Sequence, residues 1–357
     1  MTIVVQIDSS NAANDIRRDF NERCFILLAK KNPSVSFVFV SDTPFLKSFE
    51  AIQNITYLTI GPRLRNSLFN HYWYQHKLSK ILKKLNANYF FSSTNHCNHK
   101  TNTAQAIYLE TLLSSRDNKK KNLLKASHII VPNDYIKLNA SLLMPAITEK
   151  LLVCYSGIEK KVAATIEIKE NIKKTYTGDK DFFFFDFEDT TDKKLLLVLK
   201  AFSLFKKWQQ SKMKLLLAVD SIKIQSVETI CSNYKYKEDV VIVSSQSKET
   251  LDFLIGSAYA SIFMPNQHKI PLNVHTALSY EVPVILPETA FYRANFGEAI
   301  LYSEENETSI SNGMILLYKD ERARNQFIQK GKELSADRTW ENCAHSVWES
   351  IINKKKI

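Results

Sequence analysis

The feature that most constrains this chain is an alternation between short apolar runs and longer segments of helical period, which occurs twice. In the first half, strands are predicted at 1–8, 35–40, 57–60, 89–91, 106–109, 128–131 and 151–155, and helices at 13–30, 67–85 and 135–143. In the second half, strands are predicted at 182–187, 214–219, 240–243, 260–264, 282–286 and 299–302, and helices at 193–208, 227–234, 247–257, 272–279 and 310–317. This order favours two parallel sheets with crossover helices, an α/β architecture.

The length of 357 residues fits two domains of ordinary size. Between 160 and 181 the chain becomes polar and lysine-rich, and we place the boundary there. The predicted domains are 1–160 and 161–338, followed by 339–357 as a C-terminal helix with a basic tail. In that last segment Trp340, Val347, Trp348 and Ile351 recur at helical spacing.

Composition narrows the class of protein. Hydrophobic residues make up 45% of the chain, but no stretch reaches the roughly 20 apolar residues of a membrane-spanning helix. The N-terminus lacks the basic and cleavage regions of a signal peptide and is predicted to be a first strand. Five scattered cysteines are typical of reduced thiols, so we expect a cytoplasmic protein.

Glycine scarcity limits how this chain can hold a phosphate. Seven glycines in the whole chain exclude a Walker loop and a G-x-G-x-x-G fingerprint. Phosphate would have to be held by helix N-termini and side chains. The net charge of +11 suits phosphorylated substrates or anionic lipid. Without zinc-finger spacing or an RNP-like motif, nucleic acid is not an expected partner, and His96 and His99 lack further ligands in register for a metal site.

Several segments, in order, resemble a large family. Residues 126–133 are similar to its strand ending in V-S-x, and 150–159 to its x-V-I-x-N-G-V-D linker strand. Residues 258–265 resemble A-D-x-F-V-x-P-S, 277–285 resemble A-M-A-x-G-x-P-V-I, and 338–344 resemble the F-S-W-x-x-x-A start of a last helix. The family is that of the retaining nucleotide-sugar glycosyltransferases of GT-B fold.

This resemblance implies a fold and an activity. The fold would be GT-B: two Rossmann-like domains facing across a cleft, with the C-terminal helix crossing back to the first. The activity would be retaining transfer of a hexosyl-type sugar from a nucleotide sugar, UDP- or GDP-linked, to a glycan or lipid-linked acceptor, in cell-surface polysaccharide or glycoconjugate synthesis. No cofactor and no protein metal are implied.

The donor-site motif departs from the family pattern. The family's two glutamates, which have seven residues between them, fall on His268 and Thr276. Its phosphate-facing arginine falls on Glu188, whereas its lysine is retained as Lys193. Catalytic residues are therefore not assigned. A non-catalytic GT-B protein that supports a partner glycosyltransferase is the alternative function.

Candidate binding residues follow from the resemblance and from the helix start after the predicted strand 260–264. The donor-side candidates are Lys193, His268, Lys269, Leu272, Asn273, Thr276 and Arg293. The acceptor-side candidates are Ser9, Ser10, Asn95 and Glu110; Glu110 lies where the family often has a histidine–aspartate pair, and Ser9 and Ser10 replace its glycine-rich loop.

A basic and aromatic segment at 63–84 has two interpretations. Its lysines could face anionic lipid headgroups, which would give peripheral membrane contact at the inner face. Alternatively it is an ordinary crossover helix whose apolar side packs on the sheet. The two are compatible, because only the lysine face need meet the membrane.

Overall fold

The computed structural model divides the chain into two compact units. It describes residues 1–7, 16–43, 52–61, 71–94, 96–114, 120–161, 164–187, 190–244, 247–266 and 270–353. Unit 1 comprises Met1–Gly157 and Arg338–Ile357, and unit 2 is Ile158–Asp337. The chain leaves unit 1 once, forms unit 2, and returns.

Unit 1 contains a seven-stranded, fully parallel sheet of order β3-β2-β1-β4-β5-β6-β7. Its strands are β1 Thr2–Gln6, β2 Ser36–Ser41, β3 Ile55–Thr59, β4 Tyr89–Ser92, β5 Ala104–Tyr108, β6 His128–Val131 and β7 Leu151–Val153. Its helices are α1 Ile16–Lys31, a π-helical segment Trp73–Leu78, α2 Ser79–Lys84, α3 Lys120–Lys125, α4 Asp134–Leu143 and a 3₁₀ segment Pro145–Lys150. Side chains alternate between the faces: Ile3 and Val5 enter one hydrophobic core, and Val4 enters the other.

Unit 2 contains a six-stranded parallel sheet of order β10-β9-β8-β11-β12-β13. Its strands are β8 Phe182–Asp186, β9 Lys214–Val219, β10 Val240–Ser244, β11 Ala260–Phe263, β12 Val284–Pro287 and β13 Leu301–Ser303. Its helices are α5 Ile166–Thr177, α6 Asp192–Gln209, α7 Ile224–Ser232, α8 Lys248–Gly256, α9 Leu272–Ser279, α10 Ala290–Phe296, α11 Glu307–Lys319 and α12 Glu321–Asp337, with 3₁₀ segments Ser221–Lys223, Lys237–Asp239 and Gly297–Ala299. The four phenylalanines that begin β8 are fully buried, as expected for a central parallel strand covered on both faces.

The polar segment 160–181 contains a helix that periodicity did not predict. Thr165 caps α5 by accepting a hydrogen bond from the Ile168 amide at 3.3 Å. Gly178 ends it in the left-handed conformation, with φ of 61°. A capping hydroxyl and a C-terminal glycine are ordinary helix signals, but α5 is mostly polar and Thr177 is its one buried residue, so it lacks the apolar content of the predicted helices. The region therefore contains an ordered helix of unit 2.

The C-terminal helix α13 Trp340–Asn353 completes the core of unit 1. Trp340, Ala344 and Val347 belong to the same buried cluster as Phe20 and Phe25 of α1. Among the described helices, none combines the length and the apolar character needed to cross a bilayer.

Gly157, the last residue of the first pass through unit 1, packs directly against Trp340. A Cβ at position 157 would lie 2.5 Å from the indole ring and 2.6 Å from the Trp340 backbone nitrogen. No side chain can occupy that space, because the backbone cannot retreat from it without moving the start of α13. The glycine thus sets how closely the returning chain approaches.

We expect Gly157→Ala to destabilise unit 1 by at least about 3 kcal/mol, the upper part of the range for overpacking. Gly178→Ala is the control, since its Cβ would meet nothing within 4 Å and it should cost only about 1 kcal/mol of left-handed strain. Urea unfolding followed by tryptophan fluorescence measures both. Equal losses in the two variants would contradict the contact with Trp340.

Candidate functional site

The strand order of unit 2 reverses between β8 and β11. From β8 the chain proceeds to β9 and β10 on one side, then returns to β11, β12 and β13 on the other. Ligands of open α/β sheets bind outside the carboxyl ends of the strands at such a switch point. The candidate donor site is therefore the edge where β8 ends at Asp186 and β11 ends at Phe263.

Hydrogen bonds tie the segments at this edge together. The Asn273 amide of α9 donates to Asp186 Oδ2 at 2.7 Å. The buried Thr190 hydroxyl donates to the Met264 carbonyl at 2.7 Å, which links the chain before α6 to the end of β11. These bonds position the starts of α6 and α9 beside each other at the switch point.

Two adjacent lysines at the start of α6 have different environments. Lys194 donates to the Pro265 carbonyl at 2.6 Å and pairs with Glu305 at 3.1 Å. Lys193 is exposed, and the described residues give it no hydrogen bond or ion pair. Lys194 therefore holds the loop after β11, and Lys193 is the cation that a ligand can reach.

The start of α9 presents uncapped backbone amides. Pro271 occupies the cap position and makes no side-chain capping hydrogen bond. The amides of Leu272 and Asn273 thus point out of the helix end, where an anion is favoured. Thr276 lies one turn further on and is buried.

Arg293 is paired with the carboxylates of Glu288 and Glu298. Its guanidinium donates twice to Glu288 Oε1, at 2.8 and 2.6 Å, and lies 3.6 Å from Glu298. It also stacks on Tyr302, 4.6 Å from the ring centroid. The hydrogen bond to Glu288 raises the Arg293 pKa. To meet a diphosphate, Arg293 would have to leave these partners.

Several predicted candidates lie outside the described residues. They are Ser9, Ser10 and Asn95 on the acceptor side and His268 and Lys269 on the donor side, together with Glu188. Their roles stay predictions.

Unit 1 has its own switch point, between β1 and β4, and a polar cluster lies there. The Tyr74 hydroxyl donates to Gln6 Oε1 at 2.8 Å and is 2.7 Å from the Thr94 hydroxyl. Ser92 also donates to Gln6 Oε1, at 3.1 Å. The His96 ring stacks on Tyr74 with centroids 4.9 Å apart, and its Nδ1 lies 3.3 Å from Thr94 Oγ1. We call these five residues the switch-point cluster.

Buried amides hold the loop that follows this cluster. Gln75 donates to the Cys97 carbonyl at 2.9 Å and accepts from the His99 amide at 2.8 Å. Asn98 donates to the Tyr74 carbonyl at 2.6 Å. These hydrogen bonds hold the residues that follow Thr94 and His96 in the chain.

The carboxyl end of the next strand, β5, carries fewer polar side chains. Leu109, where the resemblance places a histidine, is fully buried, and Glu110 beside it is half-buried. The half-buried imidazole of the first edge is instead His96, at the end of the neighbouring strand β4. His99 points elsewhere, with its Nε2 3.0 Å from Asn122 Oδ1.

The cysteines are not placed to act as nucleophiles. All five are buried. Burial raises the pKa of Cys97 to about 12 and that of Cys231 to about 11. The Cys343 hydrogen bond, together with burial, raises the pKa of Cys154 well above its usual value, and their sulfurs lie 3.3 Å apart. Neutral thiols are poor nucleophiles.

Sequence reasoning missed the switch-point cluster and the role of Lys194. One signal for the cluster was present: five polar residues in succession, 92–96, follow an apolar strand. The resemblance pointed to Glu110 at the end of β5, and of the residues that follow β4 the one candidate was Asn95. Lys194 had no separate signal, because which of two adjacent lysines faces a loop depends on the rotation of α6.

Among known proteins, a family model matches part of this chain, and solved structures match its whole fold. Residues 167–334 match the family model described as "Glycosyl transferases group 1". No curated protein matches the chain.

The whole chain resembles solved structures. A glycosyltransferase from Rickettsia africae has 14% identity, a TM-score of 0.76 and coverage of 98% of both chains. Anabaena Alr3699/HepE, solved with UDP and glucose, has 11% identity, a TM-score of 0.71 and coverage of 98% and 99%. A putative UDP-N-acetylglucosamine 2-epimerase from Listeria monocytogenes has 10% identity, a TM-score of 0.69 and coverage of 99% and 96%. The predicted GT-B fold, with two Rossmann-like α/β domains, is confirmed, and the epimerase shows that this fold alone does not define a reaction.

We expect Tyr74→Phe to destabilise unit 1 by about 1–3 kcal/mol, because it leaves the buried Gln6 carbonyl and the Thr94 hydroxyl short of a partner. Tyr72→Phe is the matched control: Tyr72 is 51% exposed on the same segment. Its loss of a hydroxyl should change stability by less than about 0.5 kcal/mol. Chemical denaturation compares the two, and an unchanged midpoint for Tyr74→Phe would show that the cluster does not hold the strand ends.

Proposed function

We propose that this chain, which carries a glycosyl transferases group 1 domain, transfers a hexosyl-type sugar with retention from a UDP- or GDP-linked donor to a glycan or lipid-linked acceptor. The observation that carries the proposal is the edge of unit 2 at the switch point. There an exposed lysine with no ion pair among the described residues, and a helix start whose cap residue is a proline, lie outside the ends of β8 and β11. Cell-surface polysaccharide or glycoconjugate synthesis is the setting that this activity suits.

At this edge of unit 2, the protein would assist the transfer by electrostatic stabilisation. In transfer from a nucleotide sugar, negative charge develops on the leaving diphosphate. Lys193 and the amides of Leu272 and Asn273 would stabilise that charge without a metal or a covalent intermediate. Asn273 has its side chain on Asp186, so only its backbone amide remains for the ligand.

Acidic groups at the same edge oppose diphosphate binding. Asp186 ends β8, and Glu305 pairs with Lys194. This charge balance, with His268 and Thr276 at the positions of the family's glutamates, supports weak donor binding. It also supports the second candidate function, in which the chain is a non-catalytic subunit for another glycosyltransferase.

We expect Lys193→Ala to weaken the binding of UDP or GDP by about tenfold, since a charge-assisted hydrogen bond contributes roughly 1.5–3 kcal/mol. The control is Lys200→Ala, an exposed lysine two turns further along α6, which should leave affinity unchanged. Isothermal titration calorimetry with each diphosphate measures both.

Two outcomes would contradict parts of the proposal. Equal affinity in the parent and in Lys193→Ala would remove Lys193 from the site. A parent protein that binds neither diphosphate nor any nucleotide sugar would contradict the transfer reaction and favour the non-catalytic subunit.

We also propose peripheral contact with an anionic membrane, at the inner face of a cytoplasmic membrane. Lys80, Lys83 and Lys84 of α2 are exposed, while Trp73 and Leu82 of the same segment lie in the core of unit 1. The apolar side is thus used for packing, as expected for a crossover helix. Contact with lipid would be electrostatic and would not insert side chains.

We expect the triple change of Lys80, Lys83 and Lys84 to Gln to weaken binding to phosphatidylserine vesicles, because each lysine contributes about 1 kcal/mol near an anionic surface. The control changes three exposed lysines of unit 2, Lys200, Lys237 and Lys248, to Gln. Co-sedimentation at low and high salt distinguishes them. Equal effects of the two triple changes, or binding that ignores salt, would refute a surface on α2.

A further inference from the structure

A groove on the outside of unit 2 lies apart from the helix starts that form the candidate donor site. It runs between the last two turns of α6 and the exposed side of α11, with a volume of about 370 Å³. The two helices lie side by side in the same direction: Lys194 pairs with Glu305 at their starts, and the rings of Phe205 and Tyr318 meet at 5.3 Å near their ends. On α11 the lining extends from Thr308 to Lys319, about 16 Å at 1.5 Å per residue.

The apolar part of the lining is centred on one indole. Trp208 is 67% exposed, although tryptophan is highly buried on average. Leu204 and Ile315 lie beside it in the groove and are half-buried. Lys207 places its ammonium 5.7 Å from the indole centroid, so one face of the ring is occupied by a neighbour on the same helix. The rest of the indole is accessible to a flat apolar surface.

The polar part of the lining consists of short amides and hydroxyls. Gln209, Thr308, Ser311 and Asn312 share the groove with Trp208. Thr308, Ser311 and Asn312 are spaced three and four residues apart, so they form one stripe of α11. Each can both donate and accept hydrogen bonds. Lys319 is the single charged residue of the lining.

Exposed polar side chains, and not the buried ones, are available to a ligand in this groove. Thr308 and Asn312 are exposed, and Gln209 is half-buried. Ser311 lies beneath them and is 2% exposed, so it is part of the floor of the groove.

We propose that this groove binds a glycan chain, with a sugar ring stacked on Trp208. A pyranose has an apolar face of C–H groups and a rim of hydroxyls that donate and accept. The groove matches both: an indole for the face, and amides and hydroxyls for the rim. It lies along α6 and α11, away from the uncapped start of α9, so it is a second carbohydrate site and does not depend on the transfer proposed above.

A lipid surface fits the same groove less well. Acyl chains cannot form hydrogen bonds with the Gln209 and Asn312 amides of the lining, and a flat bilayer does not fill a concave site. A protein partner would need more apolar surface than Trp208, Leu204 and Ile315 offer. The lining chemistry therefore favours a neutral or weakly acidic glycan.

The test uses the full chain without a nucleotide. Maltotetraose, cellotetraose and chitotetraose are titrated in turn at millimolar concentration, with calorimetry and tryptophan fluorescence as readouts. We expect at least one of them to bind and to perturb the fluorescence. Trp208→Ala should abolish binding, whereas Trp208→Phe should retain part of it. Ile222→Ala, which removes another exposed apolar side chain, at 90% exposure, should leave affinity unchanged.

Asn312→Ala provides the sharpest comparison. Asn312 is exposed and lines the groove, so its removal should change the free energy of unfolding by less than about 0.5 kcal/mol. It should lower glycan affinity by about fivefold, the effect of one neutral hydrogen bond. Unchanged glycan affinity in this variant would remove Asn312 from the site.

Three results would overturn the proposal. The first is that none of the tetrasaccharides binds. The second is that binding survives Trp208→Ala. The third is that Trp208→Ala abolishes vesicle binding and leaves glycan binding intact, which would assign the groove to a membrane. UDP or GDP affinity is measured on every variant. A groove variant that loses glycan affinity but keeps nucleotide affinity separates this site from the candidate donor site.

Discussion

The packing of Trp340 on Gly157 is the constraint on which the first unit depends. Unit 1 is built from two stretches of chain separated by 180 residues of unit 2. Its core is completed only when Trp340, Ala344 and Val347 join the side chains of α1. The close approach at Gly157 requires a residue without a side chain. The same contact therefore joins the end of the chain to the point where the chain first leaves unit 1.

In both sheets the polar side chains described above lie at the switch point, but different contacts hold them there. At the edge of unit 1, a hydrogen-bonded cluster around Tyr74 orients Thr94 and His96. At the edge of unit 2, bonds from Thr190 and Lys194 fix the end of β11 and leave Lys193 exposed. With so few glycines, neither edge approaches a ligand with a glycine-rich backbone loop. Side chains and helix ends are therefore the groups at each edge that could contact a ligand. Several hydrogen bonds hold the polar groups of both edges in place.

Much of the fold could be predicted because its elements carry strong local signals. β6, β9 and α9 have the predicted limits, since each is an apolar run or period bounded by polar residues. The helix α5 was missed because it buries little surface, so its capping residues are its main signature. In the segment 63–84, whose apolar side could pack on the sheet, Tyr72 is exposed. The π-helical turn at Trp73–Leu78 adds a residue to the turn and places Trp73, Tyr74 and Gln75 inside in succession, which a period of 3.6 residues cannot anticipate.

By itself the sequence determined the two parallel α/β domains and the lack of a glycine-rich phosphate loop. These two features follow from short-range patterns and from residue counts, which do not depend on distant contacts. The return of the C-terminal helix to unit 1 was implied by the family resemblance and is seen in the structure. Only the tertiary structure decided that Lys194 bonds to Pro265 and Glu305 while Lys193 is exposed, and that Arg293 is paired with Glu288. It also decided that His96 stacks on Tyr74, and that Trp208 shares a groove with Ser311 and Asn312. Each of these depends on the rotation of a helix or on residues far apart in the chain, because a side chain's partners are set by packing rather than by its neighbours in sequence.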